Sequence, residues 1–301
     1  MLMAMLAMMK WGWVINTDSG GGAGRKLFAQ LRALAPQLPC CDVQTMDLVT
    51  WMGTHAWDLD RIMVAGGDGS AHWVWHLLAE MSCPLPVALW PLGTGNDLAI
   101  FLGHRRRPAQ TQQISATMAA PLQACSLDRF LLEGPGLRRS IFAYLSLGLD
   151  ARIALLFDRG RKRMPCGYRA PCLNKLHYGR YVLSAIGRPL EGLIKSPDLC
   201  LPRGCQGLIW ANIPNFAGGA PLSPESAPGD GRLSCHAYGG LLGLGLGLSP
   251  WRRLRSLAHG VSYQWHSPCA LPLQIDGEPL VAPPGSYTIR LNGQVQALRP
   301  S

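Results

Sequence analysis

Asp68 sits in the glycine turn Gly66-Gly67-Asp68-Gly69-Ser70, directly before a helical pattern, and a second turn, Pro91-Leu92-Gly93-Thr94-Gly95-Asn96-Asp97, follows the next apolar run. Glycines leave backbone N–H groups uncovered, so an anion can come close, and a following helix aims the positive end of its dipole at the same point. A carboxylate beside a phosphate is repelled unless Mg²⁺ stands between them; with no ligand it simply caps backbone N–H groups. Thr94 and Asn96 offer hydrogen bonds, and Asn96-Asp97 equally suits an unliganded helix N-cap. The outline is that of a nucleotide phosphate site.

Strands must launch these turns. Trp13–Ile15, Ile62–Ala65 and Val87–Leu89 read as three short buried strands, followed by helices over Arg25–Leu38, Ala71–Met81 and Asp97–Leu102. The first connection is the loop Asn16–Gly24. Alternating strands and helices imply a parallel sheet with ligands beyond its carboxyl ends, where all three turns fall. After the polar stretch from Arg105-Arg106-Arg107-Pro108 to Ala119 the texture changes to short extended runs broken by Gly and Pro. Strand candidates include Leu131, Phe142–Leu145, Gly207–Ala211, Leu271–Ile275 and Tyr287–Leu291, with helices over Ala151–Asp158 and Lys175–Ile186. We place a boundary near Pro121, giving residues 1–120 as an α/β nucleotide domain and 121–301 as a β-rich domain.

The 301 residues are 48% hydrophobic, enough for buried cores, and carry a net charge of +10 that favours polyanionic partners without choosing among them. Ten cysteines lie scattered with no CxxC pair, which suits reduced, mostly buried thiols in a cytosolic protein. Met1–Met9 is apolar but interrupted by Lys10, too short to cross a bilayer and unlike a signal peptide. There is no GxxxxGK[ST], and Arg25 stands where the last glycine of GxGxxG belongs. P-loop and dinucleotide readings therefore fail, and no nucleic-acid recognition element is visible.

The turns Gly66-Gly67-Asp68-Gly69 and Pro91–Leu98 closely resemble the catalytic domain of eukaryotic diacylglycerol kinases, and Asn16–Gly24 resembles that family's first phosphate loop. Ser146–Ala151, Asn174-Lys175-Leu176, Asn212–Ala220 and Gln274–Pro279 are similar, in order, to the same family's accessory domain. The resemblance implies a three-layer, Rossmann-like α/β nucleotide domain and a β-sandwich with the active site between them, and allows the last strand to return to the first domain. It implies transfer of the γ-phosphate of ATP, with Mg²⁺, to diacylglycerol, giving phosphatidic acid at a cytoplasmic membrane face. By the same resemblance Asp68 lies at the ATP/Mg²⁺ centre, Asn16, Ser19, Gly66, Gly67 and Gly69 line the phosphates, and Thr94 and Asn96 complete the pocket.

A primary alcohol needs a base to take its proton as the phosphorus–oxygen bond forms, and the resemblance offers Asp276 and Glu278 without choosing between them. Asp276-Gly277 between two extended runs also suits a two-residue hairpin, and spacing alone leaves both open. Thr17, Ser70 and Leu280 depart from the family pattern; none removes a catalytic group, though Leu280 stands at the expected lipid entrance. No cysteine-rich lipid module or EF-hand is present in these residues, which leaves membrane contact to the core. Candidates for contact with anionic lipid are Arg159, Arg161, Lys162, Arg163 and Arg169 beside Tyr168, and Arg252, Arg253 and Arg255 beside Trp251; a solvated face is the alternative. Other acceptors, a sphingoid base or ceramide, and a catalytically silent binding relative also stay open. Asp97 and the Ile275–Glu278 run favour diacylglycerol.

Overall fold

A computed structural model describes residues 9–105, 110–163, 189–190, 192–240, 243–244 and 254–301. Arg106–Pro108, Tyr168, Arg169, the Asn174-Lys175-Leu176 run, the helix expected over Lys175–Ile186, and Trp251–Arg253 lie outside the described residues, as do Cys166 and Cys172. Two units emerge. The first comprises residues 1–127, Ala217–Gly219 and Gly293–Ser301; the second, Asp128–Phe216 and Ala220–Asn292.

In the first unit, β1 (Trp11–Ile15), β2 (Cys40–Asp42), β3 (Arg61–Gly66) and β4 (Val87–Pro91) are almost wholly buried, as strands covered on both faces must be. They pair in parallel in the order β2-β1-β3-β4, and Ala297, near the chain's end, pairs in parallel with Val87 of β4. Helix α1 (Ala23–Leu34) buries Leu27 and Leu31, one turn apart, against Trp11, Trp13, Ile15, Met63, Ala65 and Trp90. Ile114 and Met118 of α5 (Thr111–Ala119) join the same core. Helix α2 (Leu48–His55) starts on Asp47, whose carboxylate accepts the Thr50 N–H. Helix α3 (Asp68–Glu80) buries Ala71, Val74, Trp75 and Leu78, the i, i+3, i+4, i+7 stripe of an amphipathic helix. Helix α4 (Asp97–Phe101) is short.

Two differences from the sequence expectation have physical causes. The first helix stops at Leu34 and not Leu38, because the residue before Pro36 is pushed out of the helical region; Ala35 has φ −147°. A further strand and helix, β2 and α2, were hidden because three residues, Cys40-Cys41-Asp42, carry no readable period.

The second unit is antiparallel. One sheet runs β10-β9-β8-β7-β12-β13, built from β7 (Tyr144–Gly148), β8 (Gly207–Ala211), β9 (Leu233–Tyr238), β10 (Arg255–Gly260), β12 (Leu271–Ile275) and β13 (Glu278–Ala282). Facing it are the hairpin of β5 (Leu122–Gly134) with β6 (Leu137–Ile141) and the pair of β11 (Ser262–Ser267) with β14 (Gly285–Pro300). Tyr263 and Trp265 point inward from β11 in strict alternation, and Trp265 stacks between Trp210 and Tyr287 at centroid distances of 5.2 and 5.4 Å. Helix α6 (Leu149–Arg163) follows β7 directly and packs on β12.

Candidate functional site

The three turns meet at the carboxyl ends of β1, β3 and β4. Asn16 donates its backbone N–H to the Ala65 carbonyl, and its side-chain oxygen accepts from the Asp18 N–H and the Gln44 amide. Gly20, Gly21 and Gly22 then stand in succession at φ of 69°, 61° and 100°, a backbone that L side chains rarely adopt, so this loop requires glycine for its conformation. Side chains at Gly21 and Gly22 would enter open space. Helix α1 begins immediately after, with no side chain capping its first amides. Ser19–Gly22 form a single 3-10 turn, and the Ala23 N–H donates to the Ser19 and Gly20 carbonyls, so the loop brings side-chain-free backbone to a helix start, a place that suits an anion.

Close approach governs the other two turns. A Cβ on Gly93 would fall 2.6 Å from the Gly67 Cα and 2.8 Å from the Asn96 Oδ1, so backbone meets backbone. The Gly66 carbonyl accepts the N–H groups of Leu92 and Gly93. A Cβ on Gly20 would touch the Leu92 carbonyl at 3.1 Å, and one on Gly66 would approach Asn16 at 3.6 Å, so all three turns share one locality.

Asp68 opens α3 with its carboxylate turned to the third turn, accepting the Asp97 N–H at 2.9 Å and the Leu98 N–H at 3.1 Å. Asn96 takes φ 59° and donates its amide to the Gly93 carbonyl at 2.7 Å. Asp97, 1% exposed, accepts the N–H groups of Gly218 and Gly219 on one oxygen, at 2.9 and 2.8 Å. Ala217, Gly218 and Gly219 all have positive φ, which aims consecutive amides at one point. This holding role for Asp97 was not legible beforehand; the signal was the Ala-Gly-Gly run, whose partner lies far off in sequence.

Beside the first loop is a cavity of about 440 Å³ lined by Thr17, Asp18, Arg25, Phe28, Asp42, Gln44 and Thr45. The Asp42 carboxylate accepts the Thr17 hydroxyl at 2.9 and 3.1 Å, so the loop is fastened to the end of β2. Neither Asp42 nor this cavity was singled out from the sequence, because β2 was missed. Among the described residues no group of three or more His, Cys, Asp or Glu is arranged to hold a metal. A cation at Asp68 would take most of its remaining ligands from water and phosphate oxygens, the usual manner of Mg²⁺.

In the second unit, Asp276 and Gly277 have φ of 47° and 89° and join β12 to β13 with Ile275 opposite Glu278, a two-residue type I′ hairpin. The Asp276 carboxylate, 1% exposed, accepts the N–H groups of Phe142, Ala143 and Tyr144 at 2.8–2.9 Å. Glu278 is exposed. Asn212 donates to the carbonyls of Asp128 and Phe142, and the Asp128 carboxylate accepts from Gly229 and Gly231, another clamp the sequence did not announce. Asp150 is buried and accepts the Tyr238 hydroxyl at 2.6 Å; burial pushes its carboxyl above the ordinary aspartate value.

Residues 10–127 match the family model of the diacylglycerol kinase catalytic domain, and residues 140–279 that of the diacylglycerol kinase accessory domain. Diacylglycerol kinase 2 of Arabidopsis thaliana is 30% identical over 95% of this chain and 45% of its own length. Human diacylglycerol kinase theta is 28% identical over 95% of this chain and 34% of its own. The chain thus spans less than half the length of these curated relatives. A solved structure of a diacylglycerol kinase from Bacillus anthracis str. Sterne has a TM-score of 0.58 at 16% identity, covering 96% of each chain, a likeness of fold.

Proposed function

We propose, from the premise that this chain belongs to the diacylglycerol kinase family, that it transfers the γ-phosphate of ATP to the free hydroxyl of diacylglycerol, yielding phosphatidic acid. The observation that carries the reading is the convergence of three glycine turns, with Gly67 against Gly93 and Asp68 fastened to the third turn. A Cβ at either glycine would push the two turns apart, so their side-chain-free contact keeps both glycine turns at one place, where a polyphosphate can approach their backbone. The Gly20–Gly22 amides bind the phosphates with Asn16, Ser19, Gly66, Gly67 and Gly69, while Thr94 and Asn96 close the far side. The cavity beside Asp42 takes the nucleoside, as ligands of parallel sheets lie beyond the strands' carboxyl ends.

Asp68 holds Mg²⁺ directly or through water, and two backbone hydrogen bonds keep its carboxylate in one orientation. Mg²⁺, when bound, supplies neutralising charge to the transferring phosphoryl group. We assign the proton of the acceptor hydroxyl to Glu278, because a general base must reach its substrate and Glu278 is exposed. Asp276, enclosed by three backbone N–H groups, positions the hairpin that carries it.

Among the described residues no helix is long and apolar enough to cross a membrane. We place the enzyme peripherally on a membrane, with Arg159, Arg163 and Arg255 as exposed cations toward anionic lipid. The test is incubation with labelled ATP, Mg²⁺ and parallel vesicles of diacylglycerol, ceramide and sphingosine. Label on diacylglycerol is expected; label only on a sphingolipid, or nucleotide binding with no transfer, overturns the reading.

A further inference from the structure

We propose that the second unit holds an acyl-chain site for a phosphate-headed glycerolipid, in the cavity between α6 and β12, with Arg152 and Arg159 receiving the phosphate. The cavity measures about 480 Å³, within the roughly 300–1,000 Å³ of small-molecule sites. Its walls are apolar: Leu155 and Leu156 from α6, Leu190 and Leu193 from the following segment, and Leu271 and Pro272 from β12.

Arg152, Leu155, Leu156 and Arg159 fall at i, i+3, i+4 and i+7, one face of α6. In a helix that only seals a core this stripe would be apolar throughout. Here both ends are exposed arginines, while the leucines between them are half-buried and line open space. Among the described residues no acidic side chain lines the cavity. An apolar floor with guanidinium groups two turns apart suits an amphiphile with an anionic head, and guanidinium matches phosphate oxygens in bidentate fashion. A neutral lipid would leave both cations unused, and a free phosphate would leave the leucine floor unused. The choice of a glycerolipid rests on the kinase reading, since such a lipid is the class of its product. The site would let the enzyme hold product, or capture phosphorylated lipid already in the membrane.

The test needs no nucleotide, so its failure is distinct from failure of phosphoryl transfer, which the vesicle assay reads separately. Fluorescence polarisation of a chain-labelled lysophosphatidate below its micellar concentration is compared with the monoacylglycerol of the same chain, on the full protein. The expected result is affinity for the phosphate lipid about tenfold higher or more. Arg152→Gln with Arg159→Gln should erase that preference while monoacylglycerol binding stays. Leu156→Trp should weaken both by plugging the cavity, with Leu193→Phe as a second plug where the first disturbs folding, judged by thermal melts. Equal affinities in the unaltered protein, a preference surviving the double arginine change, full competition by glycerol phosphate alone, or undiminished binding to folded plugged variants would each overturn the proposal.

Discussion

The Asp68 carboxylate accepts the backbone N–H of Asp97 at 2.9 Å, and the Asp97 carboxylate in turn accepts the N–H groups of Gly218 and Gly219. The two aspartates therefore act in series: the first fixes where α4 begins, and that fixes where the second must point. Removing Asp97 takes the carboxylate acceptor away from the N–H groups of Gly218 and Gly219, in hydrogen bonds that are part-buried. Asp97→Ala should cost about 1–3 kcal/mol of stability in urea denaturation, whereas Asp97→Asn, which keeps an acceptor oxygen, should cost less. Equal losses would show that the charge, and not the hydrogen-bond geometry, is what matters.

Asp68→Asn keeps one acceptor for the third turn but removes the negative charge that a divalent cation needs. It should fold, bind nucleotide weakly, and lose on the order of 10²–10³ in turnover on diacylglycerol vesicles, the scale for deleting one preorganised electrostatic group. A Mg²⁺ titration separates the causes, since a pure positioning role predicts an unchanged Mg²⁺ midpoint.

Gly93→Ala drives a Cβ to 2.6 Å from the Gly67 Cα, where backbone atoms cannot retreat as a side chain could. The third turn must shift, and the KM for ATP should rise while the KM for lipid stays. Gly21→Ala makes the contrast: its Cβ meets nothing, so any effect there arises from the φ of 61°.

How much was visible beforehand follows from range. The turns at Gly66–Ser70 and Pro91–Asp97 were legible because strand, glycine and helix start are neighbours in sequence, and Trp13, Val64 and Leu89 lie in the strands their apolar runs predicted. Asp276-Gly277 was legible as a hairpin for the same reason. What Asp97, Asp128 and Asp276 hold was not: each carboxylate grips backbone amides about a hundred residues or more away, and an amide has no signature in a sequence. Cys40–Asp42 stayed hidden because a three-residue strand shows no period.

Asp276 and Glu278 should separate cleanly by measurement. Glu278→Gln removes an exposed carboxylate and should lower kcat with the melting temperature unchanged. Asp276→Ala strands three buried N–H groups at Phe142, Ala143 and Tyr144 and should destabilise by about 1–3 kcal/mol or more. If Asp276→Asn melts like the parent yet abolishes kcat while Glu278→Gln is active, the base is Asp276 and the assignment made here reverses.

Alkaline pH should loosen the first unit through two adjacent thiols. Burial pushes Cys40 from 9.0 up to about 12 and Cys41 up to about 11. In the unfolded chain both lose their protons near pH 9, while in the folded protein they keep them. Between pH 9 and 11 the unfolded state thus binds fewer protons, and stability falls as pH rises, by at most about 1.4 kcal/mol per pH unit for Cys40. The contribution is intact below pH 9 and exhausted near pH 12. Urea midpoints at pH 8 and pH 10 should therefore diverge more for the parent than for Cys40→Ala/Cys41→Ala. Parallel shifts in the two proteins would assign the alkaline loss to the other buried acids, Cys235, Tyr238 and Tyr263, whose protons burial also retains.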